Sequence, residues 1–207
     1  MIPDISNLIV HRVVTPEEKE LAYDIRWAGY RKYFSAREEV IDHYDSLESS
    51  ILLLAKNETG VPVGTIRFID RRFHPIELDS FLDLEKIIPA HLLPCIEPTR
   101  FSVPKHSNSY GIKLALWKTL LLYCQANAIP SMILCIRPGA SRDYKKLECQ
   151  SLEESGRFNH PLLGKFEHQT YVCNIALAKE KFLKNNDNYY EFFYGKENYP
   201  NLSFNPL

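Results

Sequence analysis

Charged residues interrupt two apolar, β-branched segments of the chain. The first reads Gly64-Thr65-Ile66-Arg67-Phe68 and the second reads Glu97-Pro98-Thr99-Arg100-Phe101-Ser102-Val103. Glu and Arg are rare inside strands because an unpaired buried charge costs several kcal/mol. Either Glu97, Arg67 and Arg100 face one cleft built on the sheet, or they form a structural ion pair at its edge. The spacing favours neither alternative.

The composition of the chain limits the classes of protein to which it can belong. The chain has 207 residues, 45% of them hydrophobic, which predicts a single domain with a substantial core. With 25 Lys and Arg against 26 Asp and Glu, no global basic field indicates nucleic-acid binding. No apolar run approaches the roughly 18 residues of a transmembrane helix, and the N-terminus does not resemble a secretory signal. The five scattered cysteines predict reduced thiols, a cytoplasmic location and no metal site.

The elements that must position the charged residues alternate between helix and strand. Thr15 and Pro16 begin a helix that should run to about Phe34, with Leu21, Ile25 and Ala28 on its inner side. The acidic segment 38–45 is predicted as loop. The remaining predicted elements are a hairpin of strands 50–56 and 61–69, a short helix at 82–88, a strand at 95–103, a helix at 110–126, a strand at 131–136, a helix at 141–155 and a strand at 169–176.

This order predicts an α/β fold with a central mixed sheet flanked by helices. Pro98 within the charged strand predicts a bulge or a splayed position there. The whole chain, 1–207, is interpreted as one domain. Its C-terminal extension, 179–207, is rich in Asn, Tyr and Phe and is predicted to dock on the body.

Four groups of residues follow one another in a recognisable order. They are Arg26, Tyr30 and Phe34 on the early helix, Asp42 and Asp45 in the acidic loop, Gly64 and Arg67 on one strand, and Glu97, Thr99 and Arg100 on the next. This ordered set resembles the GNAT-fold acyltransferases, in the branch of acyl-homoserine lactone synthases and long-chain N-acyl amino acid synthases. The match spans Leu21 to Leu122, and the C-terminal half fits only at the level of fold.

The resemblance implies roles for these residues in transfer of an acyl group from a thioester to an amine. Glu97 would take a proton from the amine, with Arg100 and Ser102 as the other catalytic candidates. The backbone around Phe101 and Val103 would stabilise the oxyanion, and the donor's pantetheine arm would lie in the splay. The expected substrate-binding residues are Arg26, Tyr30, Phe34, Asp42, Asp45, Arg67, Phe101 and Val103. Whether Arg67 and Arg100 bind an acceptor carboxylate or orient Glu97 and the aspartates stays open.

The loop after Val103 departs from coenzyme A-dependent relatives, which carry a glycine-rich pyrophosphate loop. Here one phosphate would be held by Ser107, Asn108, Ser109, Tyr110 and Gly111, so acyl carrier protein is favoured over coenzyme A as the acyl-phosphopantetheine donor. No tightly bound cofactor is expected. Carrier proteins are acidic, and a local basic patch could receive one, although the lysines could equally be an ordinary solvated helix face. The patch residues are Lys105, Lys113, Arg142, Lys145 and Lys146.

The function that follows is transfer of a medium or long acyl chain from acyl carrier protein to an amino acid or similar small amine. One alternative is an acyl-homoserine lactone synthase that uses S-adenosylmethionine. A second is a coenzyme A-dependent N-acetyltransferase, and a third is a non-catalytic lipid- or partner-binding module.

Overall fold

A computed structural model describes residues 2–105, 108–161, 166–195 and 202. Its described residues form one mixed sheet in the order β1-β2-β3-β4-β5-β8-β6, with β7 also paired to β8. Among these strands, β4 and β5 run parallel and the other pairs are antiparallel. The strands are β1 (Ile9–Arg12), β2 (Ser50–Lys56), β3 (Pro62–Asp70), β4 (Cys95–Ser102), β5 (Ser131–Ile136), β6 (Gln150–Ser151), β7 (Arg157–Asn159) and β8 (Glu167–Asn174).

Helices cover both faces of the sheet, which confirms the predicted mixed sheet flanked by helices. On β2, Leu52 and Leu54 pack with α1, while Leu53 and Ala55 join the larger core that includes α3. This division follows from the alternation of side chains along a strand. The helices are α1 (Pro16–Tyr30), α2 (Leu84–Ile87), α3 (Ser109–Ala126), α4 (Ser141–Lys145), α5 (Ile175–Asn185) and α6 (Asp187–Tyr194).

Helix α1 begins where the sequence predicts, because the Thr15 side chain accepts a hydrogen bond from the Glu18 N–H at 3.2 Å. It ends at Tyr30, and the predicted extension to Phe34 is wrong. The predicted inner face is wrong as well, since the buried residues are Ala22, Tyr23 and Arg26. Apolar periodicity placed the buried face one position away because it counts an arginine as outward-facing.

The segment between α1 and β2 is not simple loop. It contains two short 3-10 turns, Arg37–Val40 and His43–Ser46. Asp42 begins the second turn by accepting a hydrogen bond from the Tyr44 N–H at 3.0 Å. Asp45 reciprocates by accepting from the Asp42 N–H at 3.0 Å, so these two aspartates shape their own backbone before they contact anything else.

The long helix predicted over 141–155 is wrong. Helix α4 stops at Lys145, and Glu148 adopts a left-handed φ of 61° that a helix cannot contain. Gln150 then pairs with Val172 on β8. The local apolar spacing suits a helix, but pairing with a strand distant in sequence overrides it.

The last two described helices, α5 and α6, pack on the body. Asn174 ends β8 and caps α5 by accepting a hydrogen bond from the Leu177 N–H at 3.1 Å, so the strand stops two residues before its predicted end at position 176. Phe182, Phe192 and Phe193 of the two last helices are buried in the main core. In the described ranges, no helix is both long enough and apolar enough to span a membrane.

Candidate active site

The parallel strands β4 and β5 separate part of the way along their length. Their last paired positions are Ile96 and Met132, whereas β4 continues to Ser102 and β5 to Ile136. Beyond that pair, the backbone groups that face the gap have no partner strand among the described residues. The predicted splay is therefore present, and a ligand could lie in it as an added strand.

A β-bulge lies on β4 beside this gap. After Thr99 the register shifts, so that β4 carries one more residue than β3. Arg100 occupies the bulge with a φ of 52°, a left-handed conformation that is uncommon outside glycine. Pro98, where the sequence predicts the irregularity, stays paired opposite Phe68. Bulges redirect side chains, and here the redirected side chain is that of Arg100.

A cavity of about 430 Å³ opens at the splay, bounded by β4, β5, α1, α3 and α4. One part of its wall is apolar or aromatic and includes Leu114, Trp117, Leu134, Ile136, Tyr144 and Leu147. The polar part includes Lys32, Thr99, Arg100, Lys113, Arg137, Asp143 and His168. The wall therefore combines a surface for a hydrocarbon chain with several cationic groups.

Next to the cavity, Arg26 is fully buried at the centre of a clamp between α1 and the second 3-10 turn. Its two Nη atoms donate to the two carboxylate oxygens of Asp45 at 2.7 and 2.9 Å. Nη1 also donates to the Val40 carbonyl at 2.9 Å. A guanidinium suits this planar, two-pronged arrangement, and the pairing explains how a helix can bury an arginine.

Arg67 on β3 and Arg100 on β4 continue the cluster. Arg67 donates to the two oxygens of Asp42 at 2.6 and 3.1 Å, and its Nη1 lies 3.0 Å from an oxygen of Asp45. It also contacts Glu77. Arg100 contacts the same Asp42 and donates to Glu77 at 3.3 Å. With Arg26, the structure thus brings together residues from five separated segments of the chain.

The charges of this cluster balance. Within the described part of the chain, Arg26, Arg67 and Arg100 face the carboxylates of Asp42, Asp45 and Glu77. Burial alone would raise the pKa of Asp42, but Arg100 and Arg67 outweigh it and lower that pKa to about 2. Asp45 likewise has a lowered pKa because Arg26 and Arg67 outweigh its burial. Both aspartates are ionised at neutral pH.

Glu97 stands outside this balance. It is fully buried, the Leu78 N–H donates to its Oε2 at 3.3 Å, and its Oε1 has no partner among the described residues. Burial, and then the negative charge of Glu77, raise the pKa of Glu97 well above its ordinary value. The buried environment therefore favours the protonated form of this carboxyl group. The described residues of the cavity wall include its neighbours Pro98 and Thr99 but not Glu97 itself.

The remaining predicted catalytic or substrate-binding residues, at the end of β4 and directly after it, lie at the cavity. Phe101, Ser102 and Val103 all line it. The Ser102 hydroxyl donates to the Ile25 carbonyl of α1 at 2.7 Å. A Cβ on Gly29 would lie 2.2 Å from that hydroxyl oxygen. Glycine is therefore required where α1 crosses β4, and Ser102 ties the two elements together.

Of the two aromatic residues that the sequence predicts to bind substrate at the end of α1, only one lies at the cavity. Tyr30 lines the cavity, and its hydroxyl donates to the Phe101 carbonyl at 3.5 Å. Phe34 lies after the helix, with its ring 6.3 Å from that of Tyr30, and is not among the described residues of the cavity wall. The structure therefore brings Tyr30, but not Phe34, to the cavity.

The predicted phosphate-binding residues surround the start of α3. Asn108 accepts a hydrogen bond from the Gly111 N–H at 3.2 Å and donates to the Asp4 carbonyl at 3.0 Å. Ser109 donates to the Pro104 carbonyl at 3.4 Å, and Tyr110 contacts the hydroxyl of Tyr189 and lines the cavity. Ser107 lies outside the described residues. The N–H of Gly111 is thus already capped by a side chain.

Sequence reasoning missed several polar residues at this site. Glu77 is flanked by the buried residues Ile76 and Leu78, and an acid between two apolar residues was the one available signal. His160 and His168 gave no motif, yet their rings are 5.4 Å apart. The His160 Nε2 lies 3.9 Å from Glu77.

Comparison with known proteins identifies the family to which the chain belongs. The sequence model of the family described as N-acyl amino acid synthase FeeM matches residues 22–165, a range that includes the whole ion-pair cluster. No curated protein sequence matches the chain. The solved structure of FeeM, an N-acyl amino acid synthase from uncultured soil microbes, has a TM-score of 0.70 at 16% identity, covering 86% of this chain and 96% of that one.

Two further solved structures share the fold. The coenzyme A-dependent acyl-homoserine lactone synthase BjaI, with SAM and isopentyl-CoA, has a TM-score of 0.60 at 15% identity, covering 84% of this chain and 89% of that one. A GNAT-family acetyltransferase from Staphylococcus aureus Mu50 has a TM-score of 0.54 at 14% identity, covering 81% and 99%. The resemblance expected from the residues is confirmed: the chain belongs to the FeeM family of N-acyl amino acid synthases and is an acyltransferase with a GNAT-like fold.

Proposed function

We propose that this acyltransferase moves a medium or long fatty acyl chain from the thioester of an acyl carrier protein to the amine of an amino acid or similar small molecule. The observation that carries the proposal is the cavity at the splay of β4 and β5, which joins an apolar wall to a cluster of charged side chains. The five cysteines are all free thiols, as expected for a protein that works in the reducing cytoplasm.

The apolar wall suits the acyl chain. This wall includes Leu114 and Trp117 of α3, Leu134 of β5, and Tyr144 and Leu147. Each methylene that leaves water for such a surface contributes about 0.8 kcal/mol. Binding energy therefore grows with chain length until the cavity is filled, which favours a medium or long chain over an acetyl group.

The gap itself suits the pantetheine arm of the donor. An extended arm with two amides can pair with the strand edge that faces the gap. The thioester would then lie beside Phe101, Ser102 and Val103 on the cavity wall. A backbone N–H of this segment would donate to the thioester oxygen as negative charge develops on it.

The start of α3 supports a donor with one phosphate. Asn108 already caps the Gly111 N–H, and a Cβ on Gly111 would lie 2.4 Å from the Asn108 side-chain oxygen. One N–H of this helix terminus is therefore not free to bind a pyrophosphate. Arg142, Lys145 and Lys146 are exposed beside the cavity, so an acidic carrier protein can approach through charge complementarity.

The ion-pair cluster would hold the acceptor side in place. Arg100 is the guanidinium of the cluster that lines the cavity, so we assign it the contact with the acceptor. Arg26 and Arg67 are paired with Asp42, Asp45 and Glu77, and in this role they fix the 3-10 turns against the sheet. Glu97 stays a candidate proton acceptor, and a test must address its burial and its raised pKa.

The test compares donors and products directly. Purified protein is incubated with the same acyl chain on carrier protein and on coenzyme A, with a mixture of amino acids, and kcat/KM and product masses are measured. An N-acyl amino acid formed with higher kcat/KM from carrier protein is the expected result. A homoserine lactone product that requires S-adenosylmethionine, or faster transfer of acetyl groups from coenzyme A, would contradict it.

A further inference from the structure

His168 lies at the start of β8 and lines the cavity. Its Nδ1 is 2.8 Å from the backbone oxygen of Phe166. A carbonyl oxygen can only accept a hydrogen bond, so Nδ1 must carry the ring hydrogen. In the neutral ring the lone pair is then on Nε2, and none of the described residues donates a hydrogen bond to that atom. The ring is held in one tautomer, and no donor in the described part of the chain occupies its basic nitrogen.

The surroundings of His168 favour the neutral ring. The side chain is almost completely buried. Burial lowers its pKa below the usual value, the Phe166 carbonyl acts in the opposite direction, and the cation of Arg137 lowers it further. The other titratable ring against it is His160, which burial also keeps neutral and which has Glu77, Arg100 and Asp42 beyond it.

Glu97 differs from His168 on both counts that matter for a proton acceptor. Burial and the charge of Glu77 raise the pKa of the Glu97 carboxyl group, which is outside the described cavity wall, whereas burial lowers the pKa of the His168 ring, which lines that wall. A general base must be unprotonated and must reach the proton that it removes. We propose that Nε2 of His168 accepts the proton that the acceptor amine must lose before it attacks the thioester, an inference that rests on the proposed function.

The proton balance of the step is complete. The acceptor arrives as an ammonium and gives one proton to Nε2 of His168. Its nitrogen lone pair then forms the C–N bond at the thioester carbon, and the C–S bond breaks with its electron pair on sulfur. The sulfur takes the second nitrogen proton and leaves as a thiol, and the His168 imidazolium returns its proton to water. The imidazolium forms near His160, whose far side faces the Glu77 carboxylate 3.9 Å away.

The test uses His168→Asn, because the asparagine amide can keep the hydrogen bond to the Phe166 carbonyl while the basic nitrogen is lost. Glu97→Gln tests the competing base, and His91→Asn, at an exposed histidine, is the matched control. For each protein, kcat/KM is measured with an amino acid and with hydroxylamine, whose nitrogen is unprotonated at neutral pH, with and without added imidazole. Thermal unfolding and donor binding check the fold, and His168→Gln replaces the asparagine variant if that variant does not fold.

We expect His168→Asn to lower kcat/KM for the amino acid by ~10²–10⁴-fold. The loss should be much smaller with hydroxylamine, and imidazole should restore part of the activity. An effect within about threefold, or an equal loss with both nucleophiles and no response to imidazole, would overturn the role. If Glu97→Gln shows the predicted pattern instead, Glu97 is the base. A wild-type protein that acylates hydroxylamine but no amino acid would refute the proposed acceptor, while the His168 comparison would still be made with other primary amines.

Discussion

Arg67 and Arg100 lie on neighbouring strands and share two carboxylates, Asp42 and Glu77. Two guanidinium groups this close repel each other. Each shared carboxylate attracts both of them and so offsets this repulsion. Asp42 comes from the segment after α1 and Glu77 from the segment after β3. The shared carboxylates therefore fasten two connecting segments to the sheet beside the cavity, and they make the position of Arg100 depend on both.

The first prediction concerns Arg100→Lys. Arg100 uses its two Nη atoms for two different carboxylates, and an ammonium group cannot reproduce that planar geometry. Losing one charge-assisted hydrogen bond costs roughly 1.5–3 kcal/mol, so we expect kcat/KM to fall by about one to two decades. Steady-state rates with both substrates give the measurement.

The control for that variant is Arg37→Lys. Arg37 also bridges two carboxylates, Glu20 and Asp24, but it does so at the surface and outside the cavity wall. Its replacement should leave kcat/KM unchanged. Near-normal activity of Arg100→Lys would limit Arg100 to a structural ion pair.

The second prediction concerns the buried clamp between Arg26 and Asp45. The Asp45→Asn variant keeps the shape of the side chain but leaves the fully buried Arg26 without its counter-charge. Breaking a buried ion pair in this way costs about 3–5 kcal/mol. Urea unfolding should show a correspondingly lower midpoint. Asp83→Asn, which breaks an exposed pair with Lys86, should unfold almost as the wild type does, and equal midpoints for the two variants would refute the clamp.

The third prediction is a pH dependence of stability. The pKa of Asp42 is about 2 in the folded protein and 3.8 as the reference value. Because the folded pKa is the lower one, the stabilisation is complete above about pH 4 and is lost as the pH falls toward about 2. The free energy of unfolding, measured across this range, should fall less steeply for Asp42→Asn than for the wild type. Parallel pH curves would show that Asp42 does not carry this stabilisation.

The parts of the fold that the sequence predicts well are those where one pattern acts alone. The β2–β3 hairpin, β5 and α3 are each predominantly apolar despite isolated charged residues such as Arg67, and their ends fall within one residue of the predicted bounds. The predicted helix 141–155 is wrong because the two residues of β6 pair with β8. The local apolar pattern does not indicate that pairing.

The site is predictable only in part for a related reason. Arg67, Arg100 and the two aspartates stand out because charge is unusual in or near buried elements, and the ordered motif set identifies them. The signal for Glu77 is weak, an acid between two apolar residues, and His168 belongs to no motif, because both reach the site through the path of the chain in three dimensions. Residue spacing alone does not predict that path. Glu97 shows the converse, since the residue was recognised but its burial and its raised pKa depend on neighbours that the sequence does not reveal.

The fourth prediction concerns acyl-chain length. Leu147 is partly buried on the apolar part of the cavity wall, so Leu147→Trp should fill space that the end of the chain occupies. We expect kcat/KM to fall for long chains and to change little for short ones, with each excluded methylene worth about 0.8 kcal/mol. Leu122→Trp places the same side chain at another partly buried core position outside the described cavity wall. A uniform loss across chain lengths, or the same pattern in both variants, would argue against this cavity as the acyl site.

The last prediction concerns docking of the donor. Lys145 and Lys146 are exposed at the end of α4, whose residues Asp143 and Tyr144 line the cavity. Reversing both charges to glutamate should raise KM for acyl carrier protein more than it lowers kcat, because charge at an interface rim acts mainly on encounter. The defect should shrink at high ionic strength, since salt screens the attraction that the wild type gains. The same variant should use acyl-coenzyme A as the wild type does, and Lys184→Glu on α5 controls for a change of net charge. Equal losses with both donors would mean that the patch supports the cavity and does not receive the carrier protein.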